Sequence, residues 1–197
     1  MLTGGPGAGK TAILELIGHF FCNHVKVLPE AAGIVFGGGF PRERRPEMRC
    51  AAQRAIFFVQ RELEACADVD TPAIVLCDRG TVDGAAYWPG PGDFLAEVGT
   101  TLDEQLARYD AVIHLRTPRV ETEYNYDNPL RIETPDEAVA ADERILAVWA
   151  KHPNRVVIDP STDFLRKVSR TMELLRAQLP PCCAHHVASL SAQAPHG

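Results

Sequence analysis

Lysine is scarce in this 197-residue chain. Of its 20 basic residues only 4 are Lys and 16 are Arg, set against 26 acidic residues and a formal net charge of −6. A chain with that balance lacks the net basic surface of a nucleic-acid-binding domain, so nucleic acid is not an expected partner. The excess of Arg over Lys fits either a demand for planar phosphate-binding forks or GC-rich coding. No window reaches 18 apolar residues and no basic-then-apolar leader opens the chain, so neither a membrane span nor a signal peptide is expected. The six cysteines, at 22, 50, 66, 77, 182 and 183, show no paired spacing. That excludes a disulfide framework and fits reduced, buried thiols in a cytosolic protein. Cys182 and Cys183 with His185 and His186 are neighbours in a Pro/Ala-rich tail, a poor geometry for a tetrahedral metal cage.

What is present is an ordinary globular composition, 46% apolar and 23% charged, in a length that suits one domain. Short apolar runs alternate with longer stretches of helical period, which predicts a parallel α/β sheet covered on both faces. Strands are expected at 25–30, 73–80, 111–116 and 155–159, and helices at 11–22, 47–67, 101–109, 134–150 and 161–179. Thr101 with Glu104, and Thr134 with Pro135 and Glu137, read as capped helix starts. Two stretches break the alternation. Gly33 to Pro46 reads as a glycine-rich then arginine-rich loop, and residues 117–133 are long enough for a functional flap, or lid. Residues 180–197 have no periodicity and are expected to be a disordered tail beyond a domain of residues 1–179.

The strongest local signal is GGPGAGKT, formed by Gly4, Gly5, Pro6, Gly7, Ala8, Gly9, Lys10 and Thr11. It satisfies G-x-x-x-x-G-K-T, in which glycines turn successive N–H groups inward around a polyphosphate and the following helix aims its positive end there. Lys10 is placed to reach the β- and γ-phosphates, and Thr11 to offer its hydroxyl to Mg²⁺. A nucleoside triphosphate and Mg²⁺ are therefore the expected ligands. Such a loop normally follows a central strand of about five residues, yet only Met1, Leu2 and Thr3 precede it. A start a few codons upstream is the expected explanation, the alternative being an unusually short central strand.

Asp78 ends an apolar strand, where a magnesium-coordinating carboxylate belongs. Arg79 follows it, where ring-forming mechanical ATPases usually carry Glu, so a motor is disfavoured. The guanine-reading pattern Asn-Lys-x-Asp and an LSGGQ-like run are both missing, which disfavours small GTPases and transporter ATPases.

The order of phosphate loop, strand ending at Glu30, strand ending in Asp78-Arg79-Gly80 and arginine-bearing flap resembles small-molecule and nucleoside kinases. More closely, LPEAAG, CDRGTVDGAAYWPG and VVIDPSTDFLRKV resemble the AAA-type ATP-binding family grouped with ribosylnicotinamide kinase domains, over about residues 1–178. The resemblance implies a three-layer α/β/α phosphate-loop fold with a five-stranded parallel sheet of nucleoside-kinase type. It also implies roles. Glu30 would be the base for a substrate hydroxyl, or else a capping or Arg-paired residue. Arg79 would bind phosphate or orient substrate, or else close a salt bridge within the sheet edge. Gly80 stands where nucleoside kinases carry Ser. Arg116, Arg119 and Arg131 flank or occupy the flap, where arginines stabilise the transferring phosphoryl group; Arg116 and Arg131 are the stronger candidates. Tyr124 and Tyr126 suit packing within the flap, and His114 a core position. Asp83, Tyr87 and Trp88 would line an acceptor pocket or pack in the core. The expected activity is phosphoryl transfer from ATP to an unidentified small hydroxyl compound, or plain NTP hydrolysis. The alternative is a nucleotide-dependent regulatory module with slow hydrolysis.

Overall fold

Successive residues of a strand face opposite ways, so a strand buried on both sides divides its side chains between two cores. The computed structural model, which describes all residues except 22–23, 71, 119–133, 160–163 and 180–197, shows this division throughout. Elements run in the order β1 (Leu2–Thr3), α1 (Lys10–Phe20), β2 (Val25–Leu28), α2 (Ala31–Gly37), α3 (Pro46–Val69) and β3 (Ile74–Cys77). Then follow α4 (Asp83–Tyr87), α5 (Phe94–Glu97), α6 (Leu102–Leu106), β4 (Val112–Leu115), α7 (Pro135–Val148), β5 (Arg155–Ile158) and α8 (Phe164–Arg176). Leu2, Leu76, Ile113, Leu115 and Ile158 join one core with Ile13 and Ile17 of α1 and Met172 and Leu175 of α8. Their strand neighbours Met1, Cys77 and Val112 turn the other way, into a second core with Ala67, Ala86, Ile145 and Trp149. Helices therefore cover both faces, and the three-layer expectation holds.

All strand pairings are parallel: β2 with β3, β1 with β4, and β4 with β5. A single bridge, Leu2 to Asp78, joins the two groups, reinforced by the Arg79 N–H donating to the Leu2 carbonyl at 2.9 Å. The sheet thus runs β2-β3-β1-β4-β5. β1 is as short as its sequence requires. The Met1 carbonyl accepts from the Ile113 N–H at 2.9 Å, and the Met1 amine donates to the Ala111 carbonyl at 3.0 Å, which extends the ladder to the first residue.

Both expected capping boxes are present, at Thr101/Glu104 and Thr134/Glu137, each reciprocal. The Gly33–Pro46 stretch is a correction, because residues 31–37 are helical and only the segment after Gly37 is loop. Glycine weakens helix locally, but Ala31 and Val35, one turn apart, are both buried, and that burial decides the conformation. The cysteines also divide more widely than expected. Cys77 is buried, Cys50 is half-buried and Cys66 is exposed. Of the flap only Thr117 and Pro118 are described; Arg119, Tyr124, Tyr126, Arg131 and the tail lie outside the described residues.

Candidate active site

The phosphate loop needs glycine for two separate reasons. At Gly4 the backbone takes φ +133°, and a Cβ there would stand 2.0 Å from the Leu115 carbonyl oxygen on β4. At Gly5 a Cβ would meet the Thr117 hydroxyl at 2.4 Å and Asp142 Cβ at 2.7 Å. The loop is thus pressed between the ends of β1 and β4 and the α7 surface, and only backbone fits. Gly9 is the residue before α1, at φ 90°, and among the described residues no side chain caps the helix. The first N–H groups of an 11-residue helix are left for a ligand.

Lys10 opens that helix and is only 6% exposed. Its Nζ donates to the Gly4 and Gly5 carbonyls at 3.0 and 2.9 Å, so it lies folded against its own loop. Burial, then the neighbouring Arg79 charge, brings its pKa down to about 8. Thr11 Oγ1 donates to Asp78 Oδ2 at 2.7 Å. The other oxygen, Asp78 Oδ1, is buried with no hydrogen-bond partner among the described residues. Burial pushes the Asp78 carboxyl up from its usual range. A buried carboxylate oxygen without a donor costs free energy, and here it lies beside a threonine hydroxyl at the loop. Both oxygens suit a hard divalent cation that keeps most of its waters. Among the described residues no group of three or more His, Cys, Asp and Glu side chains could hold a metal.

Glu30 and Arg79 meet across the sheet edge. Glu30 precedes α2 but does not cap it; its Oε1 instead accepts from Arg79 Nε at 2.5 Å. Burial opposes ionisation of Glu30, but the Arg79 and Lys10 charges outweigh it and hold the carboxyl below its ordinary pKa. Arg79 has φ 74°, among the described residues the lone non-glycine in the left-handed region. Such a conformation costs about 1 kcal/mol or more and persists only where surroundings fix it. Here Nη1 donates to the Gly4 carbonyl and to Asp83 Oδ2, both at 3.1 Å, and the guanidinium lies 5.7 Å from the Tyr87 ring centre. Asp83 is itself fixed by the Thr3 hydroxyl and by Trp149 Nε1. Arg79 thereby joins the phosphate loop, Glu30 and α4.

A second buried carboxylate, Asp142 on α7, escaped the sequence. It is 1% exposed and accepts from the Gly5 N–H at 2.8 Å, from His114 Nε2 at 2.9 Å and from Arg116 Nε at 2.6 Å. Burial opposes its ionisation, but the His114, Gly5 and Arg116 donors hold its carboxyl below the usual range. Arg116 is also paired with Glu143, so it is engaged on the far side of the loop. The only advance signal for Asp142 was its place about two turns along a capped helix after Thr134.

Pro6, Gly7, Lys10, Thr11, Glu30 and Arg79 all line one cavity of about 610 Å³. Asp83 and Tyr87 line it as well, whereas Trp88 packs beside Phe94 at 5.4 Å between ring centres. Asp78 stands just behind Thr11, Arg116 is not among the lining residues, and Arg131 lies outside the described residues. His114 is fully buried, as expected of a core histidine, although its Nδ1 has no partner among the described residues.

Residues 1–167 match the family model described as an AAA domain. The chain belongs to the AAA domain family. No curated protein matches this AAA domain in sequence. Among solved structures it resembles M. mycoides deoxyadenosine kinase with bound dATP, at TM-score 0.62 and 12% identity, covering 88% of this chain and 96% of that one. The same kinase with products dCMP and dCDP gives TM-score 0.60 at 12% identity, covering 89% and 97%; with dCTP it gives 0.51 at 14%, covering 89% and 97%. At such identities the likeness is one of fold. It bears out the nucleoside-kinase-type architecture expected for this AAA domain, and the family match bears out the resemblance read from its motifs.

Proposed function

We propose that this AAA domain is a magnesium-dependent phosphotransferase that moves the γ-phosphoryl group of ATP to a hydroxyl of a small metabolite. The observation that carries this is the sharing of one cavity by two sets of groups. Lys10 and Thr11 of the phosphate loop and the Glu30–Arg79 pair line the same space. A plain nucleotide switch has no need of a half-buried carboxylate sharing the cavity of its phosphate loop. The likeness to a deoxynucleoside kinase supports the same conclusion.

In this mechanism the loop amides and the α1 N-terminus receive the β- and γ-phosphates, and Lys10 leaves the Gly4 and Gly5 carbonyls to follow them. Magnesium, held through Thr11 and Asp78, would neutralise charge on the phosphate oxygens. The acceptor oxygen bonds to the γ-phosphorus as the bond to the bridging oxygen breaks, leaving a nucleoside diphosphate. The hydroxyl proton passes to Glu30, which is ionised at neutral pH, and from there to solvent. Arg79 orients Glu30 and neutralises developing charge. Flap arginines, Arg131 among them, would stabilise the transferring phosphoryl group, whereas Arg116, held by Asp142 and Glu143, would position the loop from outside the cavity.

Glu30→Gln tests the assignment, because it keeps shape and removes the base. Transfer to an acceptor should fall about a hundredfold or more, with ATP affinity changed less than threefold. Equal loss of both, or loss of neither, removes Glu30 from this role. Slow ATP turnover that no hydroxyl compound stimulates would favour the regulatory module.

A further inference from the structure

The cavity that holds the phosphate loop is more basic than the chain around it. Lys10, Arg42, Arg44, Arg49, Arg79 and Arg144 line it against Glu30, Glu43, Asp83 and Glu137, six cations to four anions in a protein of net charge −6. The carboxylates are largely engaged. Glu30 and Asp83 bind Arg79, Glu43 binds Arg45 outside the cavity, and Glu137 accepts the Thr134 N–H at its own helix start.

Two arginines stand apart from that pairing. Arg49 on α3 donates from Nη2 to the Tyr87 carbonyl at 3.1 Å, and Arg144 on α7 donates from Nε to the Ala86 carbonyl at 2.8 Å. Neither has a carboxylate partner among the described residues. Two guanidiniums from different helices are thus anchored on consecutive carbonyls at the end of α4, both lining the cavity. Each anchor uses one of five N–H donors, leaving planar forks of the kind that receive phosphate bidentately. Tyr87 connects this pair to the reaction centre, since its ring faces Arg79, which holds Glu30.

We propose that the acceptor is itself an anion, a small hydroxyl compound carrying a phosphate monoester that Arg49 and Arg144 grip while its free hydroxyl meets Glu30. Two fixed cations match the dianionic charge of a phosphate monoester better than a single carboxylate. The proposal rests on the phosphotransferase assignment above, and it concerns only the far end of the acceptor.

The full chain, saturated with a nonhydrolysable ATP analogue and Mg²⁺, is titrated by calorimetry with matched pairs: ribose and ribose 5-phosphate, glycerol and glycerol phosphate, cytidine and its 5′-monophosphate. The same pairs, with glycerate as a carboxylate control, are assayed for phosphoryl transfer from ATP. At least one phosphorylated member should bind tenfold or more tighter than its neutral partner. Arg49→Gln and Arg144→Gln should each remove about ten- to a hundredfold of that preference, leaving ATP affinity within threefold. Glu30→Gln should stop transfer while the preference in binding persists. Phosphorylated members that bind no better than neutral ones, a preference that survives both Arg substitutions, or tighter binding of glycerate would each overturn the proposal. Transfer to a neutral acceptor with no gain from phosphate would leave the phosphotransferase standing and sink the anion site. Tight, Arg-dependent binding without any transfer would do the reverse.

Discussion

Lys10 should weaken the empty protein that it equips for binding. Its amine is buried among loop carbonyls and near Arg79, and its pKa falls from the ordinary 10.5 to about 8. At 1.36 kcal/mol per pH unit, that difference corresponds to about 3 kcal/mol of unfavourable charge in the folded state. The sign follows from linkage. Between pH 8 and 10.5 the unfolded chain holds this proton and the folded chain does not, so stability attributable to Lys10 rises with pH across that window. Below pH 8 both states are protonated and the folded state bears the whole cost. Lys10→Met keeps the length and removes the charge, but leaves the Gly4 and Gly5 carbonyls without the amine, at a cost of about 1 kcal/mol or so. The variant should therefore exceed the parent by about 1–3 kcal/mol in urea unfolding at pH 7. Repeated at pH 10, the gap should shrink by most of its value. Adding ATP with Mg²⁺ should stabilise the parent by RT ln(1 + [L]/Kd) and the variant hardly at all. A variant less stable than the parent at pH 7, or a gap that does not close with rising pH, would refute the argument.

Asp78→Asn should leave the empty protein at least as stable at pH 7, since burial already disfavours the carboxylate, while Mg²⁺-dependent ATP affinity drops about a hundredfold by calorimetry. Asp142→Asn removes the charge that Gly5, His114 and Arg116 share, and should cost about 3 kcal/mol in chemical denaturation. Because the Asp142 carboxyl is held low, that contribution is complete above the ordinary carboxylate range and disappears as pH falls through the folded value. Parent and variant curves should accordingly converge in acid. Gly4→Ala places a Cβ 2.0 Å from a strand carbonyl at a φ that alanine resists. It should lower stability by about 3 kcal/mol or more, seen as a lower thermal midpoint, with loop and β4 separating.

The loop, the strand positions and the helix starts could be read in advance because each is a local pattern: glycine spacing, an apolar run closed by charge, a capping box. The same holds for Asp78 and Arg79, which end such a run. Asp142 could not be read that way. Its meaning comes from contacts 137 residues distant along the chain, at Gly5, and 28 residues away, at His114. The α2 helix was hidden by glycines at 33 and 37 whose penalty is outweighed by burial of Ala31 and Val35. Arg116 was placed beside the flap by sequence proximity, yet Asp142 and Glu143 draw it away from the cavity. Arg49 and Arg144 carry no local signal in the sequence; the fold brings both against α4.

The thin join between β1 and β3 divides the groups around the cavity between two blocks of strands. Glu30, Asp78 and Arg79 ride on one block of strands, and the glycine loop with Asp142 belongs to the other. Any molecule touching both blocks acts as a clasp across that join, and the Arg79 amide, which closes onto Leu2, is the natural sentinel for it. Deuterium uptake at that one amide should slow when nucleotide and acceptor are bound together.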